Sequence, residues 1–226
     1  MAGKRTKVSP SAEEYLLTLY RLESSGERVG SSQLAKMFGV KAPSVTGMLR
    51  RLHQRGWVSY RRYRPPELTA EGRSVAVRLI RRHRLLETFL VRTLDFTWDD
   101  VHEEVQVLEH AVTDKLLERI DNMLGRPQFD PHGDPIPSAD GDLPEHNMIP
   151  LTRLEEGVKA ELGRVDSRNR RLLTSLGEIG AYPGTEVTRI KNRENGEVIL
   201  SVQDREIHLD KEIARLIWVK PEPYRG

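Results

Sequence analysis

The run from Ser31 to Gly56 constrains the fold of this chain more than any other stretch, because it has the spacing of a helix-turn-helix. A short helical segment is followed by a turn that ends near Val40. A second helix then begins with Pro43 in its first turn, where a missing N–H costs nothing. Gly39 and Gly56 stand where the two helices would end. Apolar residues spaced three and four positions apart predict a small helical core, made of Leu34, Ala35, Phe38, Val45, Leu49 and Leu52.

A basic segment with strand-like character follows directly. Residues 57–60 alternate in hydrophobicity as a strand does, and Pro65 and Pro66 interrupt the chain before Leu68 and Thr69. This pattern predicts a two-stranded wing with arginines at its tip. An arginine run is often only a solvated surface, but its position after a helix-turn-helix favours contact with DNA. The predicted DNA-binding residues are Lys41, Pro43, Ser44, Thr46, Arg50 and Arg51 on the second helix, with Arg61, Arg62 and Arg64 in the wing.

Charge is distributed unevenly along the chain. The formal net charge is +2, yet residues 1–84 hold 18 Lys and Arg against 6 Asp and Glu, so the remaining residues are acidic. A basic first third is typical of proteins that bind phosphate groups. The chain has no cysteine, which excludes disulfides and thiolate ligands. No apolar run approaches the ~20 residues of a membrane span, and no signal peptide is recognisable, so we expect a cytoplasmic protein.

The stretch Val101–Leu117 predicts an amphipathic helix that carries potential metal ligands beside its apolar face. Winding this helix at about 100° per residue places His102, Gln106, Glu109 and His110 in a single arc. Imidazole nitrogens together with carboxylate and amide oxygens can coordinate a metal ion. Amphipathic helices also carry such residues at their polar boundary without any ligand, so this helix alone does not establish a site.

Two further runs offer donors of the same kind. His83 and Glu87 stand four residues apart in a second helical segment, so both side chains point the same way. Glu13 and Glu14 lie at the start of the first predicted helix. Ser11 and Glu14 match the Ser-x-x-Glu capping box, so a capping role for Glu14 competes with a ligand role.

The middle of the chain predicts two long helices, residues 72–94 and 98–124, followed by a linker. The helices have more apolar surface than one small winged domain can cover, and a homodimer interface would use it. A symmetric dimer also matches a palindromic operator in double-stranded DNA. The segment 125–147 is rich in proline, glycine and aspartate, which predicts an ordered-to-flexible linker. Its histidines, His132 and His146, are not expected to be ligands.

The last third of the chain predicts short strands. Five β-like runs follow residue 147, and Asn195-Gly196 between two of them is a strong hairpin signal. Five short strands in so few residues suggest a small barrel. The predicted fold is therefore mostly α with small β. It consists of a winged helix-turn-helix domain (1–73), a helical metal-binding and dimerisation domain with a Pro-rich linker (74–146) and a small C-terminal β-barrel (147–226).

Together these features resemble the diphtheria toxin repressor family of metal-dependent transcriptional regulators, over essentially the whole chain. The resemblance is most specific in HRLLETFL, DDVHEEVQVLEH and DPHGDPIP, which begin at His83, Asp99 and Asp130. The last domain is similar to the FeoA-type barrel of longer members. The resemblance implies a homodimeric, metal-activated DNA-binding regulator, a repressor of metal-uptake genes, that has no enzymatic activity.

The resemblance also implies two metal sites. An ancillary site falls on His83, Glu87 and His102, and a primary site falls on Glu14, Gln106, Glu109 and His110. Iron-type members carry Met at the position of Glu14, whereas manganese-type members carry a carboxylate, so Mn(II) is the expected metal and Fe(II) the alternative. The usual residue at the position of Gln106 is Cys or Glu, although an amide oxygen can also coordinate.

Two other functions remain open from the residues alone. The first is a winged-helix regulator that does not depend on metal, whose DNA binding a chelator would leave unchanged. The second is a metallohydrolase, because His and Glu pairs also build hydrolytic centres. This alternative ranks low, since the chain shows no zinc-protease spacing and no obvious nucleophile or base beside an open coordination position.

Overall fold

The computed structural model describes residues 8–192 and 196–222. The chain forms two compact units. The first contains the chain as far as Arg81 together with residues 139–142, and the second contains residues 82–138 and the chain from Leu143 onwards. Among the described residues, no helix is long and apolar enough to cross a membrane.

The first unit is a winged helix-turn-helix, as predicted. Its elements are α1 (Pro10–Ser24), α2 (Ser31–Met37), α3 (Ala42–Gln54), β1 (Val58–Ser59), β2 (Glu67–Leu68) and the first half of α4 (Ala70–Leu94). Strands β1 and β2 pair antiparallel, with Val58 opposite Leu68, and form the wing. The core includes Leu16, Leu34, Val45, Leu49, Leu52 and Ala76. The Tyr15 ring stacks on Phe38 at 4.2 Å between centroids.

The predicted N-cap of the first helix is wrong. Helix α1 begins at Pro10 with Ser9 as its N-cap, so Ser11 lies inside the helix and cannot form a capping box with Glu14. The capping explanation for Glu14 is thereby removed. Helix α2 is capped at Gly30, whose backbone N–H donates to the Gln33 side chain at 3.0 Å.

The helices of the second unit are shorter than the sequence pattern predicts. After α4 come α5 (Val101–Leu108) and α6 (Asp114–Met123), where a single helix over residues 98–124 was expected. The Thr113 hydroxyl accepts a hydrogen bond from the Leu116 N–H at 3.3 Å and starts α6 as an N-cap. Apolar periodicity continues across this break because both helices pack on α4, with a core of Leu86, Leu90, Val101, Val105 and Ile120.

The C-terminal domain is a small antiparallel β-barrel of the predicted kind. It contains β3 (Ile149–Pro150), β4 (Lys159–Val165), α7 (Arg170–Glu178), β5 (Glu186–Asn192), β6 (Val198–Val202), β7 (Arg205–Leu209), α8 (Lys211–Ala214) and β8 (Ile217–Pro221). The strand order is β3-β8-β4-β5-β6-β7. All five predicted runs form strands. Its core includes Leu151, Leu162, Leu173, Leu200, Ile217 and, from outside the domain, Trp98.

Turn chemistry in this domain differs in part from the sequence prediction. The predicted Asn195-Gly196 turn lies between the paired strands β5 and β6, but Asn195 is outside the described residues. Strands β6 and β7 are joined by Gln203 and Asp204, both with positive φ (49° and 62°). That is the backbone of a type I′ hairpin turn, which the side chains alone did not indicate.

The first part of the segment 125–147 is packed rather than flexible, whereas residues 138–147 are irregular and mostly exposed. Asp130, His132, Asp134 and Ile136 are buried, and Phe129 and Pro135 form a β-bridge. The Asp130 carboxylate accepts backbone N–H groups of His132 and Asp134, each at 2.9 Å, so the loop satisfies its own polar backbone. We call residues 129–135 the His132 loop. Prolines restrict this segment without making it flexible, because it packs on neighbouring elements.

Glycine at position 133 is required by the packing of this loop on strand β4. Its φ is +84°, and a Cβ there would lie 1.9 Å from the carbonyl oxygen of Gly163. The backbone of the loop therefore touches the backbone of the strand. The Val165 N–H donates to the His132 carbonyl at 2.9 Å, which fixes the loop against β4.

Candidate metal centre

Three of the predicted ligands converge in the second unit. His83 and Glu87 lie one turn apart on α4, and His102 is the second residue of α5. The His83 Nε2 atom is 3.1 Å from Glu87 Oε1 and 3.2 Å from His102 Nδ1. His102 Nδ1 is in turn 3.3 Å from the same carboxylate oxygen. Each residue offers one donor atom, and these atoms lie within 4.8 Å of one another.

Burial differs sharply among these three side chains. The Glu87 side chain is 2% exposed, whereas those of His83 and His102 are 23% and 46% exposed. The cluster therefore has a closed floor at Glu87 and an open side at His102. Solvent therefore contacts the cluster on the side of His102.

The ionisation of the cluster follows from this arrangement. Burial alone would lower the pKa of His83, but the Glu87 charge and hydrogen bonds to Glu109 and Glu87 raise it to about 10. Burial would raise the pKa of Glu87, but the charge of His83 and the hydrogens of His102, His132 and His83 hold it well below its usual range. Without an ion, the positive charge that the carboxylate needs is supplied by histidine.

Glu109 connects the two predicted sites. Its Oε2 lies 2.9 Å from His83 Nδ1, and its Oε1 lies 3.9 Å from His110 Nε2. A carboxylate on Nδ1 fixes the imidazole tautomer and directs the other ring nitrogen to a ligand. His83 thus points Nε2 at Glu87 and His102 while Glu109 holds its opposite edge.

The other predicted ligands lie in exposed or partly exposed positions. Gln106 is exposed on the last turn of α5, and Glu109 and His110 follow in the turn between α5 and α6. Glu14 is exposed on α1, whereas the neighbouring Glu13 is buried. Glu14 belongs to the first compact unit.

Sequence reasoning missed the groups that lie behind Glu87. His132 is buried, and its Nδ1 lies 3.7 Å from Glu87 Oε2. Its Nε2 lies 2.6 Å from the carbonyl oxygen of Trp98, to which it donates. Burial would lower the pKa of His132, but contact with Glu87, the charge of Asp130 and the Trp98 carbonyl raise it to about 9. A histidine between two aspartates in a glycine-containing turn was the available signal.

The pKa of Asp130 is raised, whereas that of Glu87 is lowered. Burial, together with the charges of Asp134 and Glu87, raises the pKa of Asp130 to about 7, although His132 and Arg84 act against this. Arg84 lies 3.7 Å from Asp130 Oδ2 and 3.2 Å from Asp134 Oδ1. The His132 loop is thus tied to α4 by charge as well as by packing.

The donor set fits a divalent metal ion. Two imidazole nitrogens and a carboxylate oxygen, with no sulfur, suit hard or borderline ions that accept mixed oxygen and nitrogen coordination. The cluster gathers a negative charge and two histidines on rigid helices, and such convergence is what a metal site requires.

The predicted DNA-binding residues lie on the surface of the first unit. On α3 the buried residues Val45, Met48, Leu49 and Leu52 face the core. Thr46 is partly buried, and the other predicted contacts are exposed: Lys41, Pro43, Ser44, Arg50, Arg51, Arg61, Arg62 and Arg64. The Arg62 guanidinium lies 4.9 Å from the centroid of the exposed Tyr63 ring. The surface combines small polar groups with arginines, as a DNA-reading face does.

Comparison with known protein families gives three consecutive matches. Residues 7–65 match the iron dependent repressor N-terminal DNA binding domain. Residues 69–138 match the iron dependent repressor metal binding and dimerisation domain. Residues 149–221 match the FeoA domain. The matches follow the same order as the domains described above.

Individual relatives and a solved structure are similar to this chain over most of its length or over its first half. The iron-dependent repressor IdeR of Mycobacterium leprae is 28% identical over 223 residues, covering 93% of this chain and 96% of the relative. An uncharacterized HTH-type transcriptional regulator of Methanocaldococcus jannaschii is 34% identical over 114 residues, covering 50% of this chain and 91% of the relative. A solved structure of a manganese-dependent transcriptional repressor in complex with manganese has a TM-score of 0.84 and 36% identity, covering 93% of this chain and 100% of that one. This chain therefore belongs to the diphtheria toxin repressor family of metal-dependent, DNA-binding transcriptional repressors.

Proposed function

We propose that this chain is a Mn(II)-activated repressor that binds a palindromic operator as a homodimer and controls genes for metal uptake, with Fe(II) as the alternative metal. It would act in the cytoplasm, where it meets its DNA, and through binding rather than catalysis. The observation that carries the proposal is the convergence of His83, Glu87 and His102 within one small cluster.

The choice of metal rests on the donor atoms. Oxygen and nitrogen donors without sulfur suit Mn(II) or Fe(II). Zn(II) would bind the same donors more tightly by the Irving–Williams order, so selectivity would have to come from geometry and metal availability. A solved relative is named as a manganese-dependent repressor in complex with manganese, which supports Mn(II) for this chain.

Two ligand groups are proposed. His83 Nε2, Glu87 Oε1 and His102 Nδ1 form the first, and Glu109 supports it by holding His83. Gln106, Glu109 and His110 contribute to the second, with Glu14 added by the family resemblance. A bound cation supplies positive charge that the buried carboxylate otherwise obtains from protonated histidines.

The metal-ligand role of Glu14 on α1 can be tested against that of its neighbour Glu13. Glu14 is exposed and its capping role is excluded, but Glu13 beside it is buried. We expect Glu14→Gln to lower metal-dependent DNA binding more than Glu13→Gln does. The reverse result would move the ligand role to Glu13. A ligand on α1 would make metal loading restrain the first helix of the DNA-binding unit.

Dimerisation is supported by apolar side chains on the surface of the second unit. Leu94, Val107, Leu116 and Met123 are all exposed, although they are large hydrophobic residues. Covering these side chains in an interface would remove apolar surface from water, which favours association. A symmetric dimer would present two α3 helices to half-sites that lie about 34 Å apart, or a multiple of that distance.

A DNA-binding titration tests the proposal directly. Wild type and His110→Ala would be titrated onto operator DNA with Mn(II), Fe(II) or Zn(II), and with a chelator as the metal-free reference. We expect Mn(II) to raise wild-type affinity strongly and His110→Ala to lose most of that gain. Binding by wild type that is equal with metal and with chelator would overturn the proposal in favour of a metal-independent regulator.

A further inference from the structure

The wing of the first unit is too small to fix its own orientation. Strands β1 and β2 have two residues each, and they pair only at Val58–Leu68 and Ser59–Glu67. An isolated two-stranded hairpin is at best marginally stable in water, so it needs support from a neighbouring element. The direction in which the wing arginines point therefore depends on what holds β2 from outside the hairpin.

Glu23, in the last turn of α1, provides such support. Its Oε1 accepts a hydrogen bond from the backbone N–H of Leu68 in β2 at 2.7 Å. Its Oε2 lies 2.8 Å from a guanidinium nitrogen of Arg73 in α4. The Glu23 side chain is only 22% exposed, and hydrogen bonds to a charged acceptor are stronger than those between neutral groups. One carboxylate thus joins α1, the returning strand of the wing and α4.

The space between the end of α1 and the wing is only partly filled. A cleft of about 460 Å³ lies there, and Glu23 lines it together with Val29 and Pro66. A second ion pair in this region joins Arg28 to Glu67 at 3.5 Å, but its side chains are 77% and 53% exposed. Exposed ion pairs contribute little to stability, so Glu23 is the stronger polar link between α1 and β2.

A separate attachment holds the base of the wing. The Thr69 N–H donates to the Trp57 carbonyl at 3.0 Å, and a Cβ at Gly72 would lie 1.8 Å from that same oxygen. This base does not involve Glu23, so it should persist when the Glu23 carboxylate is removed. Loss of that carboxylate should therefore loosen the wing without detaching it from α4.

We propose that Glu23 is a positioning residue for DNA binding: it ties β2 to the C-terminal end of α1, so that the wing arginines follow the position of α1. Arg61, Arg62 and Arg64 lie in the segment between β1 and β2, so the hold on β2 sets how they approach a phosphate. The inference rests on the proposed function, because α1 also carries Glu14. A metal ion that restrained α1 through Glu14 would thereby restrain the wing.

Three variants separate the hydrogen bond from the ion pair. Glu23→Gln keeps an oxygen that can accept the Leu68 N–H but loses the charge toward Arg73. Arg73→Met removes the ion pair from the other side and leaves the carboxylate in place, whereas Glu23→Ala removes both contacts. Because the Arg73 side chain is half exposed, we expect Glu23→Gln and Arg73→Met to bind DNA within about 2-fold of wild type. Glu23→Ala should bind DNA more weakly.

The salt dependence of DNA binding reports which contacts are lost. The experiment uses the full chain, and its probe is the DNA duplex that wild type selects from a random-sequence pool. Each phosphate contact contributes about 0.9 to the slope of log affinity against log salt, or about 5-fold in affinity at roughly 0.15 M salt. We expect Glu23→Ala to lose at least about 5-fold in affinity and about one unit of slope for each phosphate contact that the wing gives up.

A double-mutant comparison assigns this loss to the wing. The background variant replaces Arg61, Arg62 and Arg64 with alanine, which removes the phosphate contacts of the wing. In that background Glu23→Ala should change affinity by no more than about 2-fold, because no wing contact is left to lose. Equal losses in both backgrounds, an unchanged salt slope in Glu23→Ala, or a loss in Glu23→Gln as large as in Glu23→Ala would overturn the proposal.

Two controls exclude indirect effects. Thermal unfolding shows whether each variant is folded at the assay temperature. If Glu23→Ala is not, Glu23→Met takes its place with the same expectations, because it removes the acceptor and keeps the apolar part of the side chain. Mn(II) affinity without DNA should stay within about 2-fold of wild type, since Glu23 and Glu14 lie about 14 Å apart along the axis of α1. A clear loss of Mn(II) affinity would assign the effect to the metal site and overturn the proposal.

The same measurements distinguish this inference from the proposed function. If wild-type DNA binding does not respond to Mn(II) or Fe(II), the proposed function fails, while the salt slopes of wild type and Glu23→Ala still decide the role of Glu23. If metal activates wild type and Glu23→Ala keeps the wild-type slope and affinity, the proposed function stands and only the role of Glu23 is rejected.

Discussion

Replacement of Glu87 by glutamine is the most direct test of how this chain balances charge in its metal centre. The substitution keeps the shape of the side chain and removes its charge. Glu87 is 2% exposed and faces three imidazoles: His83 at 3.1 Å, His102 at 3.3 Å and His132 at 3.7 Å. Removing one partner of a buried ion pair costs about 3–5 kcal/mol, because the remaining charge is left uncompensated.

The cost should be visible in metal-free thermal unfolding. In a chain of this size 1 kcal/mol corresponds to roughly 2–4 °C, so we expect the Tm of the second unit to fall by about 6–20 °C in Glu87→Gln. The loss should be smaller above the pH at which the histidines of wild type release their protons, since neutral imidazoles do not need a counter-charge.

Mn(II) should stabilise wild type but should not stabilise Glu87→Gln to the same extent. An ion that binds only the folded state stabilises it by about 2.7 kcal/mol when its concentration is 100 times Kd. We expect wild type to gain this amount with Mn(II), while Glu87→Gln gains little at the same concentration. Near-UV circular dichroism, which reports tertiary packing, would follow the transition with Mn(II) and with a chelator.

The matched control is Glu104→Gln, which removes the same charge from an exposed position on α5. It should unfold within about 1–2 °C of wild type, because surface substitutions generally change stability by no more than about 0.5 kcal/mol. The reasoning would be refuted if Glu87→Gln unfolded at the wild-type temperature without metal, or if Mn(II) stabilised it as much as it stabilises wild type.

Three further predictions concern pH, DNA and loop packing. The pKa values of His132 and His83, about 9 and about 10, lie above the ordinary 6.5, so the stability that these histidines contribute is complete below pH 6.5 and is lost as the pH rises toward 9 and 10. The metal-free Tm should therefore fall by several degrees between pH 6.5 and pH 9, and His132→Gln should make this fall smaller. Arg62→Ala should weaken binding to all DNA sequences alike and lower the salt slope by about one unit if it contacts a single phosphate, and an unchanged slope would exclude that contact. Gly133→Ala would place a Cβ 1.9 Å from a carbonyl oxygen, so we expect a loss of about 3 kcal/mol or more in chemical denaturation, and a wild-type midpoint would contradict the described packing.

Local patterns in the sequence were enough to predict most of the architecture. Helical periodicity predicted the buried face of α3, and alternating hydrophobicity predicted the strands of the C-terminal domain. The pairing of His83 with Glu87 was predictable because residues four apart share one helix face. The approach of His102 depended on helix packing and came from the family resemblance.

Contacts between distant segments could not be read from periodicity. His132 lies in a Pro-rich stretch, so composition suggested a linker, and only the packing of the His132 loop on α4 and β4 brings it to Glu87. The break between α5 and α6 was hidden for a different reason. Apolar spacing continues through it, and Thr113, which caps the start of α6, gives only a weak local signal.

Trp98 has a consequence for any attempt to shorten this protein. The residue precedes α5, yet its indole is buried among the apolar side chains of the C-terminal domain, while its carbonyl accepts the His132 proton. A buried aromatic ring removes about 150–250 Å² from water, worth up to about 4–6 kcal/mol. In a chain cut after residue 138 the Trp98 ring would be exposed to solvent. The peptide whose carbonyl accepts the hydrogen bond from His132 would then be less firmly held. The last third is therefore needed to keep Trp98 buried, and through the Trp98 carbonyl it supports the position of His132 beside Glu87.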